Sequence, residues 1–226
     1  MVKRLSSILV LLAFVATSTF AQFANIDTPA NPPSEKATPS KTVYEGWESI
    51  LFSYNMGTLT EYNEDYDLDG FTFAIQKAFP VSSSTPLFLE SGIQFNYSTL
   101  SESLENYDGY GYSDEELKLH TFSMAVPFNL AFKLSLDEQS HFVPYLGLNF
   151  RGNILAKMEV LGQSYDAFDK DDVGDAKWKR FNVGWQIGAR LMLNHFVLGV
   201  RYSEDLNEIA KESEISNFSL NLGFCF

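Results

Sequence analysis

Unbroken alternation of large apolar residues with small or polar ones is the feature that most constrains this chain. Phe122, Met124, Val126, Phe128, Leu130, Phe132 and Leu134 alternate with Thr121, Ser123, Ala125, Pro127, Asn129, Ala131 and Lys133. A helix, repeating every 3.6 residues, cannot collect seven such residues on one face, whereas successive residues of a strand point to opposite faces. The pattern recurs: Phe181, Val183, Trp185, Ile187, Ala189, Leu191 and Leu193 oppose Asn182, Gly184, Gln186, Gly188 and Arg190, and Phe218, Leu220, Leu222, Phe224 and Phe226 oppose Ser219, Asn221, Gly223 and Cys225. Shorter stripes run through Ile50, Phe52, Tyr54, Met56; Phe71, Phe73, Ile75, Phe79; Leu87, Leu89, Ile93, Phe95; Leu146, Leu148, Phe150; and Phe196, Leu198, Val200. Eight segments follow from Trp47 onward, and a content of 20 Phe, 11 Tyr and 14 Gly suits pleated surfaces and turns. The fold class is all-β.

Alternation leaves open which face is inside. A soluble barrel or sandwich would bury the apolar stripes, but an eight-stranded barrel has an interior only wide enough to be filled by side chains. Eight stripes of Phe, Leu, Trp and Met are too bulky for it, while the opposite face of Gly, Ser, Asn, Gln and Ala has the right size. Each segment is about long enough to cross a bilayer when tilted, roughly 9 to 11 residues being needed. The expectation is an eight-stranded antiparallel transmembrane β-barrel, up-and-down in topology, with its apolar face toward lipid. The connections agree: PVSSSTP, DEQSH and Asn194-His195 are short, and segments 57–69, 99–117, 156–178 and 207–216 are long. Short and long alternate, as periplasmic turns and external loops do, and an even strand count leaves both termini on one side. The four long segments hold 20 of the 29 acidic residues and 4 of the 16 basic ones, so the acidity belongs to one rim. Trp47, Tyr97, Trp178 and Tyr202, near strand ends, are expected at the membrane interface.

Residues 1–21 read as a signal peptide: Lys3 and Arg4, an apolar run from Ile8 to Val15 too short to span a bilayer, and Thr19-Phe20-Ala21 before a cleavage point. Residues 22–45, with Pro29, Pro32, Pro33 and Pro39 among small polar residues, read as a flexible periplasmic leader, and 46–226 as the barrel domain. This places the chain in the outer membrane of a Gram-negative envelope, with the lipid bilayer as its first partner. Loss of Lys3 and Arg4 takes the net charge from −13 to −15, which excludes nucleic acid as a partner because phosphates need a basic surface. Cys225 is the only cysteine, so the chain forms no internal disulfide.

Glu90, Lys133, Arg151, Arg190 and Arg201 stand on the lumen face, where charges must be paired or wet. Two readings remain open: an ion network centred on Glu90 that plugs the barrel, or individually hydrated interior charges. Asp65, Asp67, Asp69 and Gly70 match the start of a calcium loop, but the twelfth position is Gln76 instead of a bidentate Glu, so the choice lies between a weak Ca²⁺ site and a solvated acidic loop. The run Asp169-Lys170-Asp171-Asp172 is a less specific acidic cluster. No cofactor is implied. An enzyme at the rim would need a His beside a Ser or carboxylate. His141 and His195 fall in periplasmic turns, and His120, on the apolar face near the outer end of its strand, has no nucleophile motif beside it. The chain therefore reads as non-enzymatic, with a rim-active barrel enzyme as the alternative.

The terminal strand NFSLNLGFCF, with Leu222, Phe224 and the final Phe226, resembles the signal that barrel-assembly machinery recognises in outer-membrane proteins, although Cys225 stands where a basic or polar residue is common. AVPFNLAFKL, PYLGLNFRGN and LGVRYSEDL resemble the PorT-like outer-membrane β-barrel family of porin-like proteins, and in size the chain is similar to the OmpA and OmpX barrels. The acidic loops point to a structural or surface-interaction role in which they meet cations, host molecules or neighbouring proteins, and the resemblance implies, as the alternative, a component of a secretion or transport assembly. It does not imply cell-wall tethering.

Overall fold

The computed structural model describes residues 44–62, 64–103, 116–160, 162–174 and 177–226. Among these residues ten strands form: β1 Trp47–Glu61, β2 Glu64–Pro80, β3 Leu87–Ser103, β4 Glu116–Phe132, β5 Leu134–Ser135, β6 Ser140–Val160, β7 Gln163–Asp166, β8 Phe181–Leu193, β9 Phe196–Asp205 and β10 Ser213–Cys225. One short helix, α1 (Lys170–Val173), lies between β7 and β8. Eight strands are the staves of a closed antiparallel barrel, each paired with its neighbour in the chain, while β5 and β7 are short additions paired with β6. Closure is made by β10 on β1, from Ser49 opposite Cys225 to Glu61 opposite Ser213. Beyond it, the Glu48 N–H donates to the Phe226 carbonyl at 2.8 Å and the Phe226 N–H to the Glu48 carbonyl at 3.0 Å. A sheet immersed in hydrocarbon must close, because an open edge would leave its backbone N–H and C=O groups without partners.

The expected faces are the observed ones. Register keeps residues of like parity together, so Phe52, Phe73 and Phe95 stand side by side across three strands, with ring centroids 5.0 and 6.5 Å apart. Such rings are exposed on the outer wall, as are Phe71, Ile75, Phe128, Leu146, Leu148, Leu198, Leu220 and the terminal Leu222, Phe224 and Phe226. Ser49, Ser53, Asn55, Thr72, Gln76, Gln94, Asn129, Asn182 and Gln186 are buried inside. Pro127 keeps the alternation of β4, but the ladder to β3 lapses there, between the pairs Gln94–Ala125 and Ser91–Phe128, because proline has no N–H to donate.

The lumen is layered. At the short-turn end Trp47, Leu51, Ala74, Ala78, Phe88, Val143, Tyr145, Met192 and Val197 form an apolar floor. At the opposite end Leu59, Leu68, Leu100, Leu119, Ala156, Phe168, Trp178, Ile209 and Ile215 form an apolar cap. Trp47 and Trp178 are therefore interior anchors and do not sit at the membrane interface: Trp47 shares the parity of Ser49 and Leu51, and Trp178 comes from a connection folded over the barrel mouth. Tyr97 and Tyr202 do lie on the outer wall, the first 3.0 Å from His120 and the second against Trp185.

Two of the expected loops are largely sheet. Residues 57–61 and 64–69 continue β1 and β2 as far as the pair Glu61–Glu64, and in segment 156–178 β6 runs on to Val160 before β7 and α1 fold back. A register shift between Phe122 and Ser123, opposite Ile154, inserts one extra residue into β6. That bulge turns Ala156 inward to the cap and lets Met158 pack against it, reversing the parity set by Phe150. β3 ends at Ser103 and β4 begins at Glu116, so the rest of segment 99–117 lies outside the described residues, as do the signal peptide and all of the leader except Tyr44 and Glu45. At the short-turn end Asp137 accepts from the Gln139 and Ser140 N–H groups, which hold its carboxyl below the usual range.

An outward position has a direct test. Leu148→Arg on the lipid face should lower the unfolding free energy in vesicles by about 2–4 kcal/mol, the cost of arginine near the bilayer midplane. A neutral effect in denaturant titrations would mean that this wall does not face lipid.

Candidate functional site

Between floor and cap the wall is polar, because side chains there must fill a narrow space beside backbone and beside one another. A chain of hydrogen bonds crosses four staves: Asn55 Nδ2 donates to Thr72 Oγ1 (2.8 Å), Thr72 Oγ1 to Asn96 Oδ1 (2.8 Å), and Asn96 Nδ2 to Ser123 Oγ (3.3 Å). On the far wall Asn153 Nδ2 donates to Asn182 Oδ1 (2.8 Å), and across the closing seam of β1 and β10 Ser53 Oγ donates to Asn221 Oδ1 (2.7 Å).

Glu90 and Arg190 meet across the lumen. Arg190 Nη1 and Nη2 donate to the two carboxylate oxygens at 2.5 and 2.8 Å, a fork that suits a planar guanidinium. Both side chains are almost wholly removed from solvent, at 0% and 3% exposure. Their remaining capacity is largely used: Asn129 Nδ2 donates to Glu90 at 2.9 Å, Gln186 Nε2 donates to Asn129 Oδ1, and Arg190 donates to Gln76 Oε1 at 2.9 Å. The Tyr145 ring lies 4.3 Å from the guanidinium carbon. Gly188 makes room for that ring, since a Cβ there would stand 2.5 Å from the Tyr145 hydroxyl.

The other lumen charges do not join Glu90. Lys133 lies at the floor with its ammonium 5.3 Å from the Trp47 ring. Arg151 pairs with Asp205, at 2.5 Å, in a second ion pair nearer the cap. Arg201 donates to Ser219 Oγ at 3.2 Å and to Asn55 Oδ1 at 3.5 Å, and among the described residues no carboxylate lies within ion-pairing distance of it. Lys133 follows the stave next to that of Glu90, yet Glu90 meets Arg190 across the barrel. Asp205 was the residue the sequence reading missed; its parity with Arg201 and Ser203 is the signal that places it inside.

Asp65, Asp67 and Asp69 stand on β2 opposite Thr60, Thr58 and Met56. An extended strand spaces such carboxylates along its length instead of converging them on one ion, and two already accept hydrogen bonds, from Thr60 (2.7 Å) and Tyr54 (3.0 Å). Among the described residues no group of three or more His, Cys, Asp or Glu side chains could hold a metal. Three acids of segment 156–178 serve their own backbone: Asp169 caps α1 through the Asp171 N–H, Asp166 accepts from the Phe168 N–H and Asp172 from the Asp166 N–H. These bonds, with Arg180 4.2 Å from the Phe168 ring, press Phe168 into the cap.

A closed eight-stranded barrel, apolar outside and filled inside, defines a small outer-membrane barrel. The chain belongs to the outer membrane protein β-barrel domain family, whose model matches residues 49–211, and it resides in the outer membrane. It is similar to the attachment invasion locus protein Ail of Yersinia pestis, with 17% identity over 81% of this chain and 100% of that one and a TM-score of 0.43. Neisserial surface protein A gives 11% identity, 80% and 100% coverage and a TM-score of 0.46. The outer membrane enzyme PagL gives 17% identity, 77% and 97% coverage and a TM-score of 0.41. Comparison with curated proteins gives no match.

Glu90→Gln should leave Arg190 buried and uncompensated, lowering unfolding free energy in detergent by about 3–5 kcal/mol. Adding Arg190→Met should restore most of the loss. A double variant no better than the single one would show that the pair does not act as a unit.

Proposed function

We propose that this protein is a non-enzymatic surface barrel that acts through its acidic external rim and not through its lumen. The observation that carries this reading is the three-layered filling of the interior: an apolar floor, the Glu90–Arg190 crossing with its amide partners, and the apolar cap built around Phe168 and Trp178. The crossing acts as a plug. Water or ions passing along the axis would have to break a buried ion pair and two apolar layers, each costly in a low-dielectric interior. The rim, by contrast, presents Glu64, Asp65, Asp67, Glu102, Asp169, Asp171 and Asp172 to solvent on strands and turns anchored to the barrel. Its charge suits cationic surfaces of a host molecule or a neighbouring protein.

Catalysis at the outer wall finds no support in the geometry. His120 Nδ1 has the Tyr97 hydroxyl at 3.0 Å, and the neighbouring Thr121 directs its hydroxyl to the Ser98 carbonyl at 3.4 Å, on the lumen face. Thr99 stands opposite His120 in the register, but among the described residues no Ser, Thr or Cys side chain hydrogen-bonds to that imidazole, whose partner is the Tyr97 phenol. The secretion-assembly reading that follows from the PorT-like resemblance has no contact in this lumen or rim to favour it over a surface role.

In planar bilayers the refolded protein should show no stable conductance. In nanodiscs it should bind a polylysine surface at low salt, with affinity falling at least tenfold when Glu64, Asp65, Asp67 and Glu102 are changed to Gln or Asn. Stable channels, or binding indifferent to those substitutions, would overturn the proposal.

A further inference from the structure

The polar belt is not filled throughout. Above the Glu90–Arg190 crossing and beneath the cap lies a chamber of about 50 Å³ whose lining includes Arg151, Arg201, Asn55, Asn96, Asn149 and the ring of Trp178. Among the described residues no carboxylate contributes to that lining, whereas two guanidinium groups do. Arg201 is only 8% exposed, and the Nε groups of both Arg151 and Arg201 are buried without a hydrogen-bond partner.

The charge count around this space does not balance. Of the five charged side chains that, among the described residues, surround the chamber and the crossing below it, Glu90 neutralises Arg190 and Asp205 neutralises Arg151, which leaves Arg201 and one positive charge. Arg201 has only two neutral oxygens, from Ser219 and Asn55, and an unpaired buried cation carries a desolvation cost of several kcal/mol. Arginine remains protonated in proteins, so the charge cannot be relieved by loss of a proton.

We propose that the chamber binds a small monovalent inorganic anion, of the size and charge of chloride, against the guanidinium of Arg201 and within reach of that of Arg151. One such ion brings the buried charge to zero; a divalent oxyanion would invert it. By the same measure of volume a single water needs about 10–15 Å³, so the space accommodates one halide with a few waters. The Asn and Ser side chains of the belt supply further N–H and O–H donors. Leu68, Trp178, Ile209 and Ile215 line the chamber on the cap side, and the ion serves as an internal counter-ion of the folded barrel. This site is independent of the rim: its failure leaves the surface reading untouched, and the reverse holds too.

The test is the unfolding midpoint of the refolded protein, read by heat-modifiable gel migration in non-ionic detergent, in sodium chloride or bromide against sodium gluconate at equal ionic strength. Gluconate is too large for the chamber. At about a hundredfold excess over Kd, chloride should raise the midpoint by roughly 5–10 °C with a saturable, one-site dependence. Asn55→Asp places a carboxylate beside Arg201 and should remove the chloride dependence while keeping the fold. Arg201→Gln should remove it as well, which covers the case in which the aspartate variant fails to fold. Crystals grown in bromide should show anomalous scattering in the chamber of the wild type and none in Arg201→Gln. Equal midpoints in chloride and gluconate, an Asn55→Asp protein with undiminished chloride response, or a chamber holding only water in bromide would each overturn the proposal.

Discussion

Every backbone N–H and C=O that enters hydrocarbon must find its partner within the protein, and this requirement governs the architecture. A strand satisfies it only by pairing on both sides, so the sheet must close, and β10 on β1 closes it over thirteen residue pairs. Once closed, the sheet has a lipid-facing wall and a narrow interior. The large apolar residues go outward because lipid accepts their bulk, while the inner wall takes what fits beside backbone on all sides. The familiar oil-drop arrangement is inverted without any change in the period-two rule.

The interior then has to solve a packing and charge problem. Its two ends are apolar: the floor is built by residues such as Leu51, Phe88 and Val143 on the staves themselves, and the cap takes Phe168 and Trp178 from the connection between β7 and β8. Between them, polar side chains are tolerable only when partnered. Glu90 and Arg190 are bound to one another and to Asn129 and Gln76, with Tyr145 laid over the guanidinium in space opened by Gly188. Arg201 is the arginine of this belt that no carboxylate faces among the described residues, and its position beside an internal chamber makes it the most informative charge in the barrel.

The candidate site was only partly legible beforehand. Parity alone placed Glu90, Arg151, Arg190 and Arg201 inside, because a one-residue slip would have put them in lipid. Pairing was not legible: neighbours along the wall are set by register, but Glu90 and Arg190 stand on β3 and β8, which are not adjacent, and meet only because the barrel is narrow. Asp65, Asp67 and Asp69 looked like the start of a cation loop because the motif is local, yet β2 extends through them and separates their carboxylates.

The chain by itself determined the barrel: strand number, the lipid-facing stripe, the alternation of short and long connections, and the acidity of one rim all reside in near-neighbour patterns that a strand's geometry translates directly. Only the tertiary structure decided how far strands run beyond the membrane, that Trp47 and Trp178 point inward, that a bulge opposite Phe122 and Ser123 re-aims the end of β6, and which charges pair across the lumen. Those outcomes depend on distances between residues far apart in sequence, fixed by closure and by the width of the barrel, and periodicity along a chain carries no information about what lies on the opposite wall.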